Sequence, residues 1–76
     1  MNHQVYRLFS MYNAALLSFS YNQQLQPGLI ELVDIEDKVI IVNLRDGLDK
    51  SKKWLEEISD YLANLFQDDE INVIPE

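Results

Sequence analysis

Seventy-six residues with only two glycines, two prolines and 47% hydrophobic side chains describe one small folded domain, residues 1–76, too apolar to stay disordered. The absence of cysteine excludes a disulfide framework, a thiolate metal site and a cysteine nucleophile, and the single histidine, His3, excludes a relay between two imidazoles. A formal charge of −7 argues against a binder of phosphate backbones, which needs a cationic face.

The charge is laid out unevenly. Residues 1–28 carry Arg7 and no acid, whereas residues 29–76 hold five bases against thirteen acids and stand at −8. From Leu8 to Ile30 there is no charge of either sign. Such a run has to be tested as a membrane span, and it fails: Ser10, Asn13, Ser18, Ser20 and the polar stretch from Asn22 to Gln24 break it well short of the ~18 apolar residues a span requires. It also suits a signal peptide poorly, because Ser10 and Asn13 interrupt the apolar centre and Ser18-Phe19-Ser20 is only a faint cleavage site. The expectation is a cytoplasmic protein with neither a membrane nor a nucleic acid as partner.

The first element read from the chain is a helix over residues 5–22. At about 100° per residue, Val5, Leu8, Phe9, Tyr12, Ala15, Leu16 and Phe19 share a stripe about 120° wide, as in a helix that packs one face on a core. Asn2 is placed to cap its start, and Pro27-Gly28 closes the following segment with a pair suited to a type II turn.

Residues 29–34 and 38–44 then read as an antiparallel hairpin around Ile35-Glu36-Asp37. Glu31 and Asp34 give the first strand an edge position or one wet face. The second contains Val39-Ile40-Ile41-Val42, four β-branched apolar residues in a row, which predicts a central strand covered on both faces.

Arg45-Asp46-Gly47 forms a turn, after which Asp49 or Ser51 can cap a second helix. Its apolar stripe, about 140° wide, holds Trp54, Leu55, Ile58, Tyr61, Leu62, Leu65 and Phe66, with Lys52, Lys53, Glu56, Asp60, Asn64 and Gln67 on the opposite side. Asp68-Asp69-Glu70 suits a solvated turn, because acids are disfavoured at a helix C-terminus. Residues 71–74 make a short last strand before Pro75. The sum is an α+β domain of order α-β-β-α-β. Strand two, the second helix and strand three form a β-α-β crossover with parallel strands. A three-stranded mixed sheet follows, with strand two in the middle and both helices on one face.

Catalysis has little to stand on. One histidine and no cysteine leave no nucleophile–base pair, the serines lack an elbow motif, and thirteen carboxylates on so small a domain have no deep cleft to shift their pKa values. Asp34-x-Glu36-Asp37 and Asp68-Asp69-Glu70 lack the alternating ligands, central glycine and distal glutamate of a calcium loop. Gly28 and Gly47 stand alone, outside any phosphate-binding motif. Arg45, Lys50, Lys52 and Lys53 cluster by the second helix, offset by Asp46 and Asp49. No catalytic residue, metal site or cofactor is expected.

The signal that stands out is the back of the first helix. Tyr6, Ala14, Leu17 and Tyr21 lie away from the core stripe, with Met11 at its border and small neutral side chains between them. Interface cores share this chemistry, poor in charge and rich in Tyr and Met, because burying an unpaired charge is costly. The chain therefore reads as a non-catalytic protein–protein interaction module, a homodimer or a docking subunit, using this helix and an exposed sheet face. The alternative is an acidic decoy imitating a nucleic acid through Glu56, Glu57, Asp60, Asp68, Asp69 and Glu70, against which Lys52 and Lys53 stand on the same face.

Overall fold

Five elements follow one another in the expected order: α1 (His3–Asn22), β1 (Ile30–Glu36), β2 (Val39–Leu44), α2 (Trp54–Phe66) and β3 (Asn72–Pro75). The structure, a computed structural model, describes residues 3–49 and 51–76, with side chains from Val5 onward, so the Asn2 cap, the His3 side chain and Lys50 lie outside the described residues. β2 is central, antiparallel to β1 and parallel to β3. Both helices pack on one face, where Tyr12, Leu16 and Phe19 of α1 and Trp54, Ile58 and Leu62 of α2 meet Ile40, Val42 and Val73 in a single core.

Edge-to-face rings join the two helices: Phe19 lies 6.0 Å from Trp54 and 5.4 Å from Tyr61, and Tyr12 lies 4.9 Å from Phe66. The helices therefore run antiparallel, which leaves the start of α1 beyond the end of α2. A 20-residue helix is about 30 Å long, whereas the seven residues of β1 span about 23 Å. For this reason Val5 and Leu8 are not core residues as their angular position predicts. They are 49% and 36% exposed, whereas Phe9 beside them packs partly on the core and full burial begins at Tyr12. Leu65 is also outside the core, since its neighbour Phe66 takes the contact with Tyr12 at that level.

The start of α2 differs from the expected caps. The Asp49 side chain accepts hydrogen bonds from the Ser51 amide (2.9 Å) and hydroxyl (2.6 Å), closing a local turn rather than starting a helix. Trp54 Nε1 donates to the Asp49 carbonyl at 2.7 Å, and the helix begins at Trp54 with Lys53 at the N-cap and no side-chain cap. At their other ends both helices close with a glutamine in the left-handed region, Gln24 (φ 59°) and Gln67 (φ 52°). Leu25 N–H then reaches the Ser20 carbonyl and Asp68 N–H that of Ala63, both at 2.9 Å, the six-to-one bond of a Schellman motif. Gly28, at φ 92°, fits the turn expected of Pro27-Gly28.

The hairpin turn is shorter than Ile35-Glu36-Asp37, because Ile35 pairs with Ile40 and continues the ladder, leaving Asp37 (φ 57°) and Lys38 to turn the chain. Lys38 reaches from there to the loop after α2, 2.9 Å from Asp68 and 3.3 Å from Glu70. β3 begins one residue later than expected, after the buried Ile71. Ser59 of α2 ties it down: its hydroxyl donates to the Leu55 carbonyl (2.9 Å) and accepts from the Val73 amide (3.0 Å).

The cover expected on both faces of β2 is supplied by this chain on one face. Ile40 and Val42 of β2 are fully buried, but Val39 and Ile41 on the opposite face stay partly exposed. Two helices spent on one side of the sheet leave none for the other, and the described residues hold no third.

Candidate interaction surface

Side chains at 100° intervals place Tyr6, Leu17, Tyr21 and Ala14 within an arc of about 80° on the back of α1, with Ser10 in the same arc and Asn13 about 20° outside it. Met11 falls about 60° beyond it, on the flank shared with Arg7 and Ser18. In the single chain Tyr21 is 84% exposed, Tyr6 65%, Leu17 50% and Met11 46%. The five expected residues are thus all at the surface, four of them on one strip. Val5 and Leu8 are exposed as well, on the core-facing side of α1 and not on this strip, because angle reports direction and not what lies below. The length of α1 against that of the strands was the available signal.

Near its C-terminal end the strip borders a groove of about 430 Å³. Leu17 and Tyr21 form one wall and Leu25 and Pro27 the other, with the buried Ser20 at its floor. The Schellman turn at Gln24 folds Leu25 back toward the helix and so builds the second wall.

This surface is also electrically quiet. The ion pairs among the described residues, Lys38 with Asp68 and Glu70 and Arg45 with Glu31 at 3.5 Å, all involve residues after Ile30. The acids proposed as a decoy row fall in two groups. Glu56, Glu57 and Asp60 lie exposed on the outer side of α2, the first two in its first turn, where the helix dipole favours them. Asp68 and Glu70 sit past its other end, held on Lys38, with Asp69 turned to solvent between them. The hydrogen bond from Lys38, helped by the Glu70 amide, holds the Asp68 carboxyl below its ordinary pKa, and the same pairing raises that of Lys38.

A second hollow, about 540 Å³, opens where β2 and β3 end and α2 begins, lined by Val42, Leu44, Leu48, Trp54, Lys52 and Lys53. Lys52 Nζ lies 4.7 Å from the centre of the Trp54 ring, so this cation is already partnered. Among the described residues no three His, Asp or Glu side chains converge on a common point, and no helix is long and apolar enough to cross a membrane. Burial, with Asp68 nearby, raises the Tyr12 phenol above its ordinary pKa, and its ring serves the packing with Phe66. No protein-family model matches the chain, and comparison with curated proteins and solved structures finds no significant match either.

Proposed function

We propose that this protein is a small, non-catalytic interaction module of the cytoplasm that pairs with a second copy of itself through the back of α1. The observation that carries this reading is the coincidence of exposed Met11, Leu17 and Tyr21 with the one long stretch, Leu8 to Ile30, that bears no charge, with exposed Tyr6 just ahead of it. Two chains of −7 repel each other over most of their surface, and they approach at least cost where each is neutral. A basic partner, by contrast, is steered toward the acidic remainder of the molecule. Side chains of the Tyr and Met type suit the desolvated centre of an interface, and a two-fold pairing lets one strip serve both copies. The acidic-decoy alternative has less support, since Asp68 and Glu70 are engaged with Lys38, past the C-terminal end of the helix that carries Glu56, Glu57 and Asp60.

Sedimentation equilibrium tests the reading directly. The wild-type chain should show a concentration-dependent rise toward twice its monomer mass, and Leu17→Glu or Tyr21→Glu should abolish it. Glu56→Gln and Asp60→Asn should leave it unchanged. A strict monomer at every concentration, or a dimer indifferent to both α1 substitutions, overturns it.

A further inference from the structure

The helix-free face of the sheet has a different chemistry from the back of α1. Pairing register sets Asp34, Ile41 and Ile74 in one row across the three strands and Glu36, Val39 and Asn72 in the next, while Glu31 stands opposite Asn43. Residues opposite one another share a face. The middle of this face is therefore apolar, with Val39, Ile41 and Ile74 partly exposed and Val33, the extra residue of a β-bulge, beside them. Its border is acidic. Glu31, Asp34 and Glu36 line the β1 side, and Glu76, whose amide continues the ladder to the Val42 carbonyl, falls on the same face as Ile74. Arg45 offsets only Glu31.

We infer that this face docks a basic amphipathic helix from a different polypeptide, its apolar stripe seated on Val39, Ile41 and Ile74 and its Lys or Arg side chains set against Asp34, Glu36 and Glu31. A helix about 10 Å across covers two strand spacings of about 4.8 Å, which is the width of the apolar strip. A helical layer on each face is also the usual surrounding of a central strand as apolar as β2. Charge decides the identity of the occupant: a second copy of this chain brings −7 against an acidic border, and a nucleic acid brings phosphates against it. The inference extends the interaction reading above but uses no residue of α1, so either can fail while the other stands.

The probe is a synthetic amphipathic helix of Leu and Lys, with a Leu and Glu peptide of the same pattern as its control, titrated into the full ¹⁵N-labelled chain. The Leu/Lys peptide should shift the amides of Val39, Ile41, Asn43 and Ile74 and leave those of Leu17 and Tyr21 in place, while the Glu control shifts none. An Asp34→Lys/Glu36→Lys chain, shown by circular dichroism to keep its fold, should bind the Leu/Lys peptide at least about tenfold more weakly. Ile41→Ser, at a partly exposed position, should weaken it without touching charge. The inference is overturned if no amide moves, if shifts gather at Glu56, Glu57 and Asp60 or along α1, if the Glu control binds equally, or if the double variant binds as wild type. Shifts of the sheet-face amides with protein concentration alone would make a second copy the occupant and would equally sink the basic helix. Loss of self-association in Leu17→Glu with peptide binding retained separates the two readings.

Discussion

α1 and α2 lie side by side on the same sheet face, yet their outward sides differ. α2 is what a solvated helix of an acidic protein should be: Trp54, Ile58 and Leu62 are buried, and Glu56, Glu57 and Asp60 face water. From Tyr12 onward α1 buries its own stripe as thoroughly, but the helix turns Tyr6, Ser10, Asn13, Ala14, Leu17 and Tyr21 outward. Because both helices belong to one chain, overall composition cannot account for the difference. α2 serves as an internal standard, and α1 departs from it in the direction of a surface made for contact.

The contrast can be broken most forcefully at the core. Phe19→Ala, which removes a ring packed on Trp54 and Tyr61, should cost about 3–5 kcal/mol of folding stability, whereas Val5→Ala on the same nominal stripe should cost less than about 1 kcal/mol. Urea denaturation of the two variants checks this; equal losses would mean that the first turns of α1 are covered after all. On the outward sides, Leu17→Glu should remove self-association while shifting the urea midpoint of the monomer by no more than about 0.5 kcal/mol, the usual range of a surface change. The same charge brought to α2 as Asn64→Glu should do neither.

Smaller effects sharpen the parallel at the C-termini, where the two helices are alike. Gln24→Gly and Gln67→Gly relieve a left-handed backbone that a side chain resists, and each should raise stability by about 0.5–1 kcal/mol. Thermal melts at fixed concentration read this, and a loss at either position would show that the glutamine side chain contributes more than its conformation costs. The weakest effect is electrostatic. The Asp68 carboxyl is held low, so its contribution is present above the ordinary carboxylate range and fades as pH falls through its lowered folded value. Lys38 is raised, so its share holds below the ordinary lysine range and fades as pH climbs past its raised value. Lys38→Met should flatten part of the acid loss and leave the part due to Asp49, which Ser51 holds low. Urea midpoints across the acid range, at low and high salt, measure it, and the difference should shrink with salt because these groups are exposed.

Much of the fold was legible because a few signals were local and strong. The β-branched run at Val39–Val42 marked the central strand, Pro27-Gly28 the first turn, and the stripe from Trp54 to Leu62 the face of α2. What escaped depended on distance. Asp49 can cap a helix or close a turn on Ser51, and only the Trp54 indole bonded to its carbonyl shows which. Val5, Leu8 and Leu65 point along the core stripes, but whether anything lies under them depends on where the neighbouring elements stop. The hold of Lys38 on Asp68 joins residues thirty positions apart and has no pattern in the chain. The candidate surface was visible from the charge gap together with the helical angle, and the uncovered face of the sheet followed from placing both helices on one side.

The hydroxyl of Ser59 has a consequence for the free edge of the sheet. Asn72 and Glu76 send their N–H groups inward to the carbonyls of Lys38 and Val42, so Val73 and Pro75 occupy the alternate, outward positions of β3. Ser59 already takes the Val73 amide, and Pro75 has none to give. Along this rim no backbone donor remains for a foreign strand to zip onto, and on the far rim the bulge at Val33 puts β1 out of step. Strand addition thus lacks backbone donors at the β3 margin and meets an irregular register at the β1 margin.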